Sequence, residues 1–430
     1  MLRHNQNFPN SYSQPATRAS LNNSQQSLPR RLPRPSLLSR FWCINAGSNT
    51  CTRRRNGEII CQQNSTTLES QRKRDECFEV HTCILENVCF DVQDAHILRY
   101  YVPRSPGALF LPPSDLPIHS HCGKVESLRL QQELMTTEAL FQNKTLAIIG
   151  RFYSVSKGHT LGDEVIALAM VLDKFGLLGN PSVQPVISGE MDSTDYYSIL
   201  SPLLPLALNS IRGQCFARIL TGARSNFFAY NWKQPYEDGY PAKIPGFQRG
   251  VLLRVRNHAI RRLSITEPDL SDRPFRLLIV QKDTNSAHHK SWIGNFEIVL
   301  GEIRQAFPLW HIDVVKWTAI PNVRQQAELV TKAHIYFTLW GSDAMNAFFL
   351  REGSVLVVSC RVHLGQVLPS AEFFPLHNHQ AWVKTIQICG DSFMTVRGEL
   401  VIMNSSALVE VLSAARDDVL STIQSRRNVN

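Results

Sequence analysis

An α/β fold in two doubly wound units is what this sequence predicts, on three observations. From Cys77 onward, short β-rich runs alternate with amphipathic stretches of helical spacing. The alternation is interrupted once, by the polar and proline-bearing "ITEPDLSDRP" at 265–274, which reads as a domain boundary. The chain of 430 residues is too long for one compact core and suits two domains and a tail. These place a basic Ser/Asn/Pro/Arg-rich segment at 1–75, a first domain at 76–265 with a Cys-rich start, and a second at 266–430.

Each element has a local reason. "VCFDVQDAHILRYY" reads as two strands, and "KTLAIIGRF" as a continuous apolar strand bounded by Lys144 and Arg151. Next, "GHTLGDEVIALAMVLDKFGLLG" sets Val165, Leu168, Ala169, Leu172 and Phe175 at helical spacing and stops at Gly176 and Gly179. "VQPVISGEM" is a strand, "DYYSILSPLLPL" a helix broken by Pro202 and Pro205, and "CFARILTG" a strand. That order predicts a parallel sheet with helices on both faces. In the second unit "FRLLIVQKD", "HIDVVKW", "HIYFTL" and "SVLVVSC" are strands. Between them lie the helices "IGNFEIVLGEIRQAF", "NVRQQAELVTKA" and "DAMNAFFLREG", and a serine-capped helix ends the chain. Two Rossmann-like halves follow from this pattern.

Composition narrows the partners. Hydrophobic residues are 43% and charged residues 19%, enough apolar material for packed interiors. Residues 1–75 hold 12 of the 45 Lys and Arg and 3 of the 36 Asp and Glu, so the net charge of +9 belongs to that segment. The remaining 33 basic and 33 acidic residues balance, so nucleic acid is not an expected partner. The segment lacks apolar periodicity and is expected to be disordered, with Arg53–Arg55 and Arg72–Arg74 as solvated charge.

No apolar run is long enough for a secretory signal or a membrane span. Seven of the ten cysteines, from Cys43 to Cys122, cluster without a CxxC pair, which favours a disulfide-tied segment over zinc, with free thiols as the alternative. Sequons at Asn22, Asn64, Asn143 and Asn404 agree with a lumenal setting. An anchor would then have to lie upstream of this sequence. His119, His121 and Cys122, and His377 and His379, sit in loop contexts that make poor metal sites, and no metal is expected.

In open parallel sheets ligands bind beyond the carboxyl ends of the strands. The residues to watch are therefore 154–164 in the first half, and 281–290 and 340–346 in the second.

One of these stretches resembles a known family. "HIYFTLWGSDAMNAFFLREGSVLVV" is similar to the signature of glycosyltransferase family 61, with Gly341, Asn346, Ala347, Phe349, Leu350 and Gly353 in register. "RLLIVQKD", "WIGNFE" with Ile293 and Asn295, "GHTLGDEVIALAMVL" and "CFARILTG" extend the resemblance over about 270 residues, roughly from Cys77 to Arg361. The resemblance implies a GT-B-like arrangement, two Rossmann-like domains facing across a cleft. It also implies inverting transfer from a nucleotide sugar, uridine-linked by preference, to a glycan or glycoprotein in the endoplasmic reticulum or Golgi lumen. Donor contacts would fall on Lys282, Lys290, Asn295, Trp340, Gly341, Ser342, Asp343 and Asn346.

The chain departs from the family in having Trp340 for a histidine, Ser342 and Asp343 for Ala-Gly, and Gln281-Lys282 where an arginine is expected. Tryptophan cannot exchange a proton as imidazole does, although it can stack on a base or a sugar. A catalytically degenerate relative that binds a glycan or a partner enzyme is the alternative reading.

Inverting transfer needs one general base. His159 is the first candidate and Asp163 the second, with Glu164 in the same loop; a surface histidine and a helix-capping Asp163 are the structural alternatives. Asp192 and Asp195 are three apart, not the D-x-D spacing of metal-dependent transferases, and read as acceptor contacts or a helix cap.

Overall fold

The computed structural model describes residues 40–45, 51–53, 59–61, 81–102, 115–121, 124–134, 140–151, 157–192, 194–223, 249–282, 291–363, 366–368, 380, 382–398 and 400–429. The fold is mixed α/β with two main sheets.

The first sheet has nine strands: β1 (Arg40–Asn45), β2 (His81–Phe90), β3 (Ile97–Val102), β4 (Asp115–His121), β5 (Lys124–Leu134), β6 (Gln142–Gly150), β7 (Val183–Ser188), β8 (Leu206–Ala207) and β9 (Cys215–Ala223). Their order is β8-β7-β6-β9-β2-β3-β5-β4, with β1 also on β2. β8, β7, β6 and β9 run parallel in succession; β2 is antiparallel to β9, β1 and β3, β3 is parallel to β5, and β4 is antiparallel to β5. The expected all-parallel sheet is thus corrected to a parallel half extended by a mixed one. Part of 1–75 is ordered too, because the apolar Phe41–Ile44 run lines up on β2.

Helices cover one face of this sheet. Leu161, Val165, Leu168 and Leu172 meet Ala147, Ile149, Ile187 and Leu220 there, together with α2 (Arg249–Arg262), a helix the sequence reading passed over. On the other face Leu146, Ile148, Val186, Phe216 and Ile219 pack with Leu98, Tyr100 and Leu128 from the sheet's own strands. Among the described residues no α-helix covers this second face, contrary to the expectation of helices on both, although the 3₁₀ turn Leu208–Ile211 packs there. The strands of residues 81–134 bring apolar side chains that cover the second face instead. A disulfide joins Cys89 to Cys215 across the β2–β9 pair.

The helix expected after β6 starts irregularly, with Lys157–His159, then a π segment Thr160–Ile166, then α1 (Ala167–Lys174). "DYYSI" forms a 3₁₀ turn, Thr194–Ile199, rather than a full helix. Pro202 and Pro205 follow closely and disfavour continuation.

The second sheet is parallel throughout: β10 (Arg276–Val280), β11 (His311–Val315), β12 (Ile335–Thr338), β13 (Val355–Ser359) and β14 (Lys384–Ile388). Its order, β11-β10-β12-β13-β14, reads 2-1-3-4-5 within the sheet, one of the two common doubly wound orders. The central strands β10, β12 and β13 are buried on both faces, which is why they are continuous apolar runs, whereas the edge strands β11 and β14 are largely exposed or half-buried. Leu277, Ile279, Ile335, Phe337, Val355 and Val357 face α3 (Phe296–Ala306) and α5 (Ser405–Val429). Leu278, Val280, Tyr336, Leu356 and Val358 face α4 (Val323–Lys332) and the 3₁₀ helix Ser342–Phe349. Each fully buried Leu, Ile or Val contributes about 1.5–3 kcal/mol. This second layer is continuous with the helices over the first sheet.

Among the described residues no helix is long and apolar enough to cross a membrane, and no cysteine is free. A second disulfide, Cys360–Cys389, links the carboxyl ends of β13 and β14. Cys89 belongs to the leading cluster but pairs with Cys215 beyond it, and Cys360–Cys389 lies wholly outside it, so the tying is not confined to the segment where cysteines crowd.

Candidate functional site

The strand order fixes where to look. In a 2-1-3-4-5 sheet the chain leaves the first strand in one direction and later returns on its other side, which opens a crevice at the carboxyl ends of the first and third strands. Here those strands are β10 and β12. Gln281 and Lys282 follow β10, and Leu339 to Asp343 follow β12.

Lys282 is buried, at 9% exposure, and its Nζ donates to the Trp340 carbonyl. Burial holds the ammonium below the ordinary lysine range, with Asp343 pulling the other way. Asp343 is the mirror case: desolvation pushes its carboxyl above the usual aspartate range, and Lys282 opposes the rise. Two opposite charges thus share a poorly solvated crevice.

Gly341 is required twice over. Its φ of 138° and ψ of −164° lie in a region essentially reserved for glycine. A Cβ there would stand 2.7 Å from Lys282 Nζ. The turn is braced from below: Tyr336 donates to the Asp343 carbonyl at 2.6 Å, Trp317 Nε1 donates to the Tyr336 hydroxyl at 3.2 Å, and Trp340 N–H donates to Ser359 Oγ at 2.9 Å. Burial raises the Tyr336 phenol well above its usual range, so it stays a neutral donor.

The first half meets this turn directly. A Cβ on Gly158 would fall 2.4 Å from Ser342 Cβ and 2.6 Å from its Cα, and one on Gly162 would fall 2.1 Å from Met345 Cε. Two glycines therefore let the segment after β6 lie flat on the segment after β12. Lys157 Nζ donates to the Pro321 carbonyl at 3.3 Å along the same seam. His159, half-buried, follows Gly158, so its backbone lies one residue from the Gly158–Ser342 approach.

Other expected site residues are engaged in the fold. Glu164 is fully buried; its carboxylate accepts from Arg151 Nε at 3.1 Å and from the Tyr197 hydroxyl at 2.9 Å. That environment makes it a structural anion and removes it as a base candidate. Asn295 accepts from Met403 N–H at 3.0 Å and donates to the Met403 carbonyl at 2.8 Å, tying α3 to the strand Leu400–Met403. Asn346 donates to Gln326 Oε1 at 3.2 Å, and the same oxygen accepts from the Tyr196 hydroxyl at 2.8 Å. Asp195 accepts from Val323 N–H at 3.3 Å beside Asn322, which caps α4 through Arg324 and Gln325 N–H. The helix-cap alternative for Asp195 is the one that holds, with the difference that the capped helix belongs to the other half.

Asp192 is exposed and gives its carbonyl to Arg151. Asp163 has its backbone in the π segment. Lys290, Cys122, His377 and His379 lie outside the described residues. Among the described residues no group of three or more His, Cys, Asp or Glu is placed to hold a metal.

Sequence reasoning missed Gly158, Gly162, Arg151, Tyr196 and Gln326. Arg151 carried one signal, a charge ending a buried strand, and Gly158 another, a glycine beside a loop histidine; the rest are specified by contacts between distant segments. No protein-family model matches this chain, and no curated protein matches it.

Proposed function

We propose that this chain is an inverting glycosyltransferase of GT-B-like architecture that takes a nucleotide sugar as donor and a glycan or glycoprotein as acceptor. The observation that carries the reading is the buried Lys282 at the crevice between β10 and β12, beside a glycine turn that opens a helix. A diphosphate is the chemistry such a place suits, since a desolvated ammonium and backbone N–H groups at a helix start both favour anions. Anion binding would also relieve Lys282, whose charge is disfavoured by burial alone.

In this reading Lys282 and the Ser342 turn hold the donor diphosphate and Trp340 lies against the base or sugar. His159 takes the acceptor hydroxyl proton while that oxygen forms the bond to the anomeric carbon and the bond to the diphosphate breaks. Asp163 is the second candidate for the base, and Asp192 remains a candidate acceptor contact. No metal is assigned a role. The lumen of the endoplasmic reticulum or Golgi is the compartment proposed, on the disulfides Cys89–Cys215 and Cys360–Cys389 and the sequons.

A second reading has its own support. Gly158 lies in contact with Ser342, and Trp340 replaces the family's histidine, which suits a degenerate relative that binds a glycan or a partner enzyme without transfer. A thermal-shift titration of the full chain against nucleotides and nucleotide sugars, with and without divalent metal, separates the two. Saturable stabilisation by one donor, lost in Lys282→Met and Ser342→Ala, is the expected result. A folded chain that responds to no donor would leave only the second reading.

A further inference from the structure

Arg151 is the first residue past β6, and its side chain is 2% exposed. Its Nε donates to both Glu164 oxygens, at 3.2 and 3.1 Å, and its Nη2 to Thr160 Oγ1 at 2.7 Å. Its Nη1 donates to the Glu190 carbonyl at 2.9 Å and to the Asp192 carbonyl. One guanidinium therefore fastens the π segment after β6 and the turn after β7 to the carboxyl edge of the first sheet. Arginine is the side chain able to do this, because its planar fork carries five donors in fixed directions.

Stability is a poor reason for such an arrangement. A buried ion pair gains little over well-packed apolar residues of similar volume, since desolvation offsets the attraction. Location supplies a better reason. The segment that Arg151 holds is the one whose Gly158 rests on Ser342 and whose Gly162 rests on Met345. A shift of that segment is transmitted at once to the turn after β12. The π geometry of Thr160–Ile166 points the same way, because π segments are rare and occur frequently at functional sites.

We propose that Arg151 is a positioning residue, with Glu164 as its counter-ion, that sets the register of His159 against the Gly341–Asp343 turn. The inference rests on the reading of that turn as the donor site and of His159 as the base. Arg151 touches neither donor nor acceptor; it acts through the backbone it holds.

The test uses the full chain as wild type, the double variant Arg151→Met with Glu164→Met, and Arg151→Lys. Replacing both buried charges by methionine is expected to leave the melting temperature within a few degrees of wild type. Donor-saturated turnover is expected to fall by about tenfold or more with the donor KM within about twofold, the pattern of lost alignment rather than lost donor binding. Amide exchange is expected to accelerate only in 157–166 and 189–192. Arg151→Lys keeps the charge and loses the fork, and should show the same split should the double variant not fold. Turnover and exchange both at wild-type values in a folded variant would overturn the proposal. Failure of the wild type to transfer from any nucleotide sugar would instead remove the reading of the site. The exchange pattern then decides alone: local acceleration keeps Arg151 as the positioning residue, and unchanged or chain-wide exchange rejects it.

Discussion

Each half of this molecule places a buried cation at the carboxyl edge of its sheet, and the two are treated in opposite ways. Arg151 is met by a carboxylate, a hydroxyl and two carbonyls. Lys282 donates to the Trp340 carbonyl and has Asp343 as its nearby charge, and both ionised groups are disfavoured by desolvation. A cation saturated by fixed acceptors organises the chain around it. Under the proposed function, a cation with few fixed acceptors among the described residues is the one suited to meet an incoming anion. The first would then serve as a brace and the second as a receptor.

The comparison is most exposed to Arg151→Met alone. It strands Glu164 as an unpaired buried charge, and urea unfolding should show a loss of about 3–5 kcal/mol. A loss below about 1 kcal/mol would mean that the brace is not one. Gly341→Ala comes next, with the positive φ and the approach of Lys282 together costing about 1–3 kcal/mol, and with donor-dependent stabilisation gone. An alanine variant of full stability would place the turn differently.

Lys282→Met is expected to be mildly destabilising alone, because Asp343 loses its compensating charge. The double variant with Asp343→Asn should recover to within about 1 kcal/mol of wild type in the absence of ligand. Non-recovery in the double would show that the Lys282 contact to Trp340, not the charge pair, holds the turn.

The smallest effect is a pH slope. Asp343 has its folded pKa raised, so the stability it contributes is fully present below the unfolded value of about 3.9 and is lost as pH rises through the folded value. Wild type should therefore lose ground to Asp343→Asn as pH rises above about 4. His334 contributes in the opposite sense, since burial and Arg351 lower its pKa to about 3 and its stability is lost as pH falls from about 6.5. Taking the difference between the two proteins at each pH cancels His334, and a flat difference would deny that Asp343 is desolvated.

The second sheet was legible because its central strands are buried on both faces and its helices keep strict spacing, as in Phe296, Val299, Leu300 and Ile303. The first sheet was half legible: "KTLAIIGRF" and "CFARILTG" announce strands, but nothing local says that Cys215 pairs antiparallel with Cys89. Helix α2 passed unread because its five arginines obscure Val251, Leu252, Val255, Ala259 and Ile260. At the site, Gly341 and Lys282 could be found as residues that follow strands. Asn295, Asn346, Asp195 and Glu164 have the right chemistry for ligands, and only their partners reveal them as braces.

By itself, then, the sequence determined the α/β class and the segments that lie at the ends of strands, because hydrophobic period and turn residues act over a few positions. Tertiary structure alone decided which polar side chains are consumed by the fold, that Gly158 rests on Ser342, and that the second sheet runs 2-1-3-4-5. These follow from strand pairing and desolvation between segments that are separate elements of the chain, where no local pattern reaches.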